Sequence, residues 1–228
     1  MQNSNTNPGE GQSPRRIGFM GGTFDPIHHG HLVAAESVYD GFNLEQVVFI
    51  PAGMPAHKSQ SFVTPSHHRL NMTTLAVKSN PHFSVSTVEV KREGPSYTID
   101  TMRCFRACYG PEAELFFITG VDAVMQIPEW KNAEGLFEIC RFIAATRPGY
   151  PTENFFRFRD RLSVRQRRGI RMLAIPALSI SSSDLRERVR RGRSIKYLVP
   201  EVVEQYILEH GLYSGNGGRV RSRAPITF

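Results

Sequence analysis

Cysteine is scarce in this chain. There are three, Cys104, Cys108 and Cys140, and no two of them form a CxxC pair. That excludes a disulfide scaffold and a cysteine-based zinc centre, and it favours a reducing, cytoplasmic setting. No run approaches the roughly 18 apolar residues of a membrane span, and the first fourteen residues carry no apolar h-region, so neither membrane insertion nor secretion is expected. Tryptophan occurs once, as Trp130. What is present fits a globular protein: 40% apolar and 21% charged residues exclude a disordered chain, and 228 residues suit one domain with decorations.

The net charge of +7 is unevenly placed. Residues 155–171 carry seven Arg and one Asp, residues 184–196 a net +4, and residues 219–223 a net +3, which leaves the rest of the chain acidic. A polyanionic ligand suits this distribution better than general coating of nucleic acid. The Arg-rich stretch, an insertion at about 155–171, reads as a solvated face, a funnel towards an anion site, or an interface.

Residues 1–14 and 214–228, rich in Gly, Ser, Asn and Pro, read as tails around a domain at 15–213. Within it, apolar runs at Arg16–Met20, Gln46–Ile50, Phe83–Val90, Leu115–Thr119, Arg141–Thr146 and Met172–Ile175 predict strands. Helical patterns fall at Gly30–Tyr39, Ser66–Lys78, Thr98–Tyr109, Ser183–Arg191 and Pro200–Glu209. Helices between near-continuous apolar strands predict an α/β fold: one doubly wound, Rossmann-like parallel sheet, with helices closing the C-terminal end. Such sheets bind ligands beyond the carboxyl ends of their strands, so the loops there are where chemistry is expected.

The first such loop reads Gly21-Gly22-Thr23-Phe24-Asp25-Pro26-Ile27-His28-His29-Gly30-His31-Leu32. It has neither a Walker A lysine nor GxGxxG. Two glycines still admit a phosphate close to the backbone, and His28 and His31, three apart at a helix start, can face one ligand beside open N–H groups. His28, His29 and His31 also raise zinc, but HExxH and a suitably spaced carboxylate are missing. Near the other end, Ile180-Ser181-Ser182-Ser183-Asp184-Leu185-Arg186 sets hydroxyls at a helix start with an arginine one turn in. That is either a cap or a phosphate clamp.

Together the two segments resemble the HxGH and ISSTxIR signatures of the nucleotidylyltransferase superfamily. Further stretches resemble its bacterial nicotinate-mononucleotide adenylyltransferase family over about residues 15–213: Pro51–Lys58, Arg69–Met72, Gly94–Thr98, Gly120–Asp122 with Trp130, Arg147–Tyr150, and Tyr197–Pro200 with Gly211–Tyr213. The resemblance implies adenylyl transfer from ATP, with Mg²⁺, to nicotinate mononucleotide, giving the dinucleotide and pyrophosphate in NAD biosynthesis. It implies that His28, His31 and Arg186 act on the phosphates. Gly21, Gly22, Thr23, Phe24, Gly30, Ile180, Ser181 and Ser182 would hold ATP. Gly53, His57, Lys58, Thr98, Asp122, Trp130, Lys131 and Arg147 would hold the acceptor, with Asp122 on ribose, Trp130 stacked on the pyridine ring and Thr98 amides on the carboxylate.

Two positions depart from the family pattern. Gly53 stands where a polar residue is usual, and Lys131 follows Trp130 where Tyr is usual, either reaching the acceptor carboxylate or facing solvent. A phosphopantetheine acceptor is the alternative within enzymes, although that family has Thr at the first position of HxGH. Nicotinamide mononucleotide is another. A nucleic-acid-binding module would explain the arginines but neither signature. Small-molecule substrates are therefore the expected partners, without membrane or nucleic acid, and a homo-oligomer stays open.

Overall fold

The computed structural model describes residues 14–55, 63–146, 149 and 151–214. Six parallel strands form its main sheet: β1 (Arg16–Gly22), β2 (Gln46–Pro51), β4 (Phe83–Val85), β6 (Glu114–Gly120), β7 (Arg141–Thr146) and β8 (Ile170–Ala174), in the order β4-β2-β1-β6-β7-β8. Counted through this sheet alone, that is the 3-2-1-4-5-6 order of a Rossmann-like fold. Its order reverses between β1 and β6, which opens a crevice there. A two-residue pair, β3 (Met54–Pro55) with β5 (Pro95–Ser96), lies apart from the main sheet.

Alternation along the strands divides the core in two. Ile17, Phe19, Leu115, Phe117 and Phe142 point to one face, while Met20, Phe116, Ile118 and Ile143 point to the other. The first face is covered by α3 (Thr98–Tyr109), α4 (Val121–Met125), α5 (Ala133–Ile139) and α6 (Glu153–Asp160). The second is covered by α1 (His29–Gly41), α2 (Ser66–Val77), α8 (Ser182–Arg190) and α9 (Glu201–Glu209).

The doubly wound fold and the five long helices appear where the sequence places them, shifted by a residue or two. The third strand does not. It ends at Val85 and not Val90: β2, its only strand neighbour among the described residues, pairs through Phe49, and Ser86 N–H makes the last bond to Phe49 O at 2.8 Å. Residues 87–92 then turn back on themselves, with Lys91 N–H on Thr87 O at 2.9 Å. The Arg-rich stretch forms α6 and α7 (Val164–Gly169), which make up the crossover from β7 to β8, so this stretch belongs to the sheet's own winding. Phe155 and Leu162 anchor it in the core.

Candidate active site

The crevice at the strand-order reversal holds a cavity of about 390 Å³. Gly21, His28, Gly30 and His31 wall one side; Ile180, Ser181 and Ser182 close another, with Gly120 and Ala145 at the strand ends. The two signatures, about 150 residues apart in the chain, therefore face one space. Both glycines after Met20 belong to β1, where Gly21 pairs Ile50 and Gly22 pairs Pro51, so the strand runs two residues further than its apolar run suggests.

His28 is the N-cap of α1, and its ring stacks on that of His31 with centroids 3.7 Å apart. Gly30 makes room for this, because a Cβ there would meet the His28 ring at 3.0 Å. The His28 N–H donates to His31 Nδ1 at 3.3 Å. An accepting ring nitrogen carries no proton, so the neutral His31 ring keeps its proton on Nε2, where it can serve as a donor. Burial, and then His28, hold the His31 pKa well below the usual imidazole range. The free His31 ring is thus uncharged near neutral pH, and an arriving polyanion favours its protonation.

The second signature binds the first. Ser182 Oγ donates to Pro26 O at 2.9 Å and Arg186 Nη1 to Asp25 O at 2.7 Å. Ser181 caps α8, accepting from Asp184 N–H at 3.2 Å. Phe24 is buried, and its ring meets His31 edge-on at 5.1 Å, so it supports the histidine from the core side; the Thr23 carbonyl accepts from Arg69 at 2.8 Å. Neither Thr23 nor Phe24 lines the cavity.

Among the residues expected to hold the acceptor, Trp130 packs half-buried and edge-on against Phe117 and Phe142, with centroids 5.9 and 6.2 Å away. Asp122 is exposed in the first turn of α4, directly after β6. Thr98 opens α3, whose N-cap, Tyr97, offers no side-chain bond. Lys131 Nζ sits 3.1 Å from Asp100 Oδ2 and 4.3 Å over the Tyr97 ring. Gly53 lies against the carbonyl of Glu89, which a Cβ would approach to 2.1 Å. His57, Lys58 and Arg147 fall outside the described residues.

The profile of the Cytidylyltransferase-like family matches residues 19–188. Over 200 residues the chain is 52% identical to a Moorella thermoacetica protein named "Probable nicotinate-nucleotide adenylyltransferase", covering 88% of this chain and 92% of that one. A Saccharopolyspora erythraea protein of the same name is 50% identical over 201 residues, covering 88% and 91%. The chain belongs to the nicotinate-nucleotide adenylyltransferase family. The same fold is found in Plasmodium falciparum nicotinic acid mononucleotide adenylyltransferase complexed with NaAD, at a TM-score of 0.71 and 21% identity over 87% of this chain and 97% of that one.

In this member of the adenylyltransferase family, one organising residue escapes a reading by motif function. Arg69 is 1% exposed, and its guanidinium donates to three carbonyls from three segments: Thr64 O at 2.8 Å, Thr23 O at 2.8 Å and Gly53 O at 2.9 Å. It ties the loop after β1 to the loop after β2 and to the entry of α2. The signal was its position, on the stripe Arg69, Met72, Thr73 and Ala76 that α2 buries. A charge on a buried stripe calls for fixed acceptors. Glu89 is a second such group, buried in the turn after β4 and accepting from Thr101 Oγ1 at 2.8 Å.

The crossover arginines are mostly solvated. Arg165 pairs with Glu138 at 3.1 Å, Arg159 lies over the Phe156 ring at 5.1 Å, and Arg157, Arg161, Arg167 and Arg168 are exposed. No helix among the described residues is long and apolar enough to cross a membrane.

Proposed function

We propose that the chain transfers the adenylyl group of ATP to nicotinate mononucleotide, forming nicotinate adenine dinucleotide and pyrophosphate. The observation that carries this is the convergence of the stacked His28–His31 pair and the Ser181–Ser182 helix start on one cavity at the strand-order reversal. The names of the relatives support the same reaction.

The acceptor's 5′-phosphate attacks the α-phosphorus in line, and the bond from that phosphorus to the pyrophosphate oxygen breaks. A phosphate is already ionised near neutral pH, so no general base is required. Catalysis is placement plus stabilisation of charge on oxygens. His28 and His31 donate to the α-phosphate and the leaving pyrophosphate, while Arg186 holds the β- and γ-phosphates. On the acceptor, Asp122 takes ribose hydroxyls, Trp130 stacks on the pyridine ring, the Thr98 amide meets the carboxylate, and His57, Lys58 and Arg147 address phosphate and ribose.

Among the described residues no group of three or more His, Cys, Asp or Glu is placed to hold a metal ion. In this reading Mg²⁺ enters with the triphosphate as part of the substrate and would neutralise charge on the phosphate oxygens. The test is pyrophosphate release with nicotinate mononucleotide, nicotinamide mononucleotide and phosphopantetheine, with and without EDTA. Highest kcat/KM with the nicotinate form, abolished by EDTA and restored by Mg²⁺, is expected. Turnover with phosphopantetheine alone would overturn the assignment.

A further inference from the structure

Tyr213 lies at the far end of the domain from the first loop in sequence and closes directly onto it. Its Oη donates to Asp25 Oδ1 at 2.7 Å, across 188 positions of chain. Its backbone has φ 63°, a left-handed conformation that a side-chain-bearing residue seldom adopts, so the turn after α9 is shaped to deliver this ring. Asp25 is buried, 3% exposed. Its other carboxylate oxygen accepts from Thr64 N–H at 3.2 Å.

The same residue also touches the phosphate arginine, but through its backbone. Arg186 Nη1 donates to Asp25 O at 2.7 Å, and Arg186 Nη2 reaches Ser183 Oγ at 3.3 Å. Two guanidinium groups, those of Arg69 and Arg186, neighbour Asp25, and a buried carboxylate ordinarily engages such a group as a charge-assisted pair. Here a neutral hydroxyl and an amide occupy its oxygens instead. Burial and the neighbouring Asp25 push the Tyr213 hydroxyl pKa up, so it remains a donor throughout the neutral range.

We propose that Tyr213 is a positioning residue for the nucleotide half of the site: by holding the Asp25 carboxylate, it keeps that charge off Arg186 and leaves the guanidinium for the triphosphate. Tyr213 touches no reacting atom. Arg69, the other cation beside Asp25, already gives Nε, Nη1 and Nη2 to three backbone carbonyls, so without the Tyr213 hydroxyl the Asp25 carboxylate turns to Arg186, which is neutralised from within. The inference rests on the assignment of Arg186 to the ATP phosphates made above.

The test uses the full chain, with MgATP affinity read by calorimetry in the absence of acceptor and KM measured for each substrate. Tyr213→Phe is expected to weaken MgATP binding by about tenfold and to leave the acceptor KM, at saturating ATP, within about twofold. Adding Asp25→Asn removes the capturing charge, so the double variant is expected to regain most of the lost affinity. A purely structural bond predicts the reverse, a double variant no better than Tyr213→Phe. Unchanged MgATP affinity in Tyr213→Phe, equal weakening of both substrates, or no recovery in the double variant would each overturn the proposal. A wild-type chain that takes up no MgATP would overturn the adenylyltransferase reading itself, and this inference with it.

Discussion

The Lys131 ammonium pairs with the Asp100 carboxylate at 3.1 Å, across the opening turn of α3 that begins at Thr98. The lysine is thus neither bare nor pointed away from the helix start assigned to the acceptor carboxylate. Its charge is offset by a carboxylate of the chain itself.

Opposite shifts follow for the two partners. Asp100→Asn leaves Lys131 uncompensated, so kcat/KM for nicotinate over nicotinamide mononucleotide should rise. Lys131→Ala leaves Asp100 with only its long 4.0 Å contact to Arg103 and should lower that ratio. The side chains are 52% and 35% exposed, so the pair is worth at most about 1 kcal/mol and each shift should be roughly threefold to fivefold, fading at high salt. Both variants moving the ratio the same way would remove Lys131 as a reader of the acceptor.

His31→Ala and Arg186→Ala should each lower turnover by about two orders of magnitude, the usual loss of roughly 3 kcal/mol when one charge-stabilising donor is removed. Circular dichroism and melting should stay near wild type for Arg186→Ala, because the bonds given up are those to one carbonyl and one hydroxyl. Wild-type turnover in either variant would remove that residue from the site.

Stability should depend on pH through His31. Its pKa in the folded chain lies well below the unfolded value of about 6.5, so the unfolded chain takes up a proton that the folded one refuses. The histidine's full contribution is present above about pH 6.5 and falls away as pH drops below it, by at most about 1.4 kcal/mol per pH unit. His68, whose pKa is also lowered by burial and then by His67 and His210, acts in the same direction. Melting temperatures between pH 7.5 and 5.5 should therefore decline less steeply in His31→Gln. Saturating MgATP should flatten the wild-type slope too, since the anion favours the imidazolium. An unchanged slope in His31→Gln would contradict the assignment.

Arg69→Lys should be costly even though it keeps the charge. One ammonium cannot serve carbonyls on three segments at 2.8 to 2.9 Å in a planar fork. A loss of about 3 kcal/mol in unfolding free energy is expected, with KM raised for both substrates. Denaturant melts and two-substrate kinetics check this; a rise confined to ATP would show that the two loops are not tied through Arg69.

Much of this was legible in the chain because it rests on local pattern. The apolar runs at Arg16–Met20 and Arg141–Thr146 give the sheet, and the glycine between His28 and His31 lets two rings stack over the first turn of a helix. What escaped is what only the folded chain brings together. Residues 83–90 alternate like a strand, but pairing with β2 ends at Phe49–Val85, and the turn of 87–92 carries Glu89 inward to α3 instead. Tyr213 and Asp25 are 188 positions apart, and no spacing rule connects them. Thr23 and Phe24 sit inside a nucleotide signature, yet one lends a carbonyl to Arg69 and the other a ring to the core.

The close approach of Glu89 O to Gly53 also sets an order of events on how this protein can change. A side chain at position 53 would drive its first carbon to 2.1 Å from a backbone oxygen that cannot rotate away. A side chain at position 53 is therefore accommodated only if the Glu89 backbone shifts. The turn at 89–90 must retreat first, and only then does position 53 become available to variation. Variation at position 53 is thus historically contingent on the 89–90 turn, and libraries that randomise the 51–55 loop alone should return glycine at its centre.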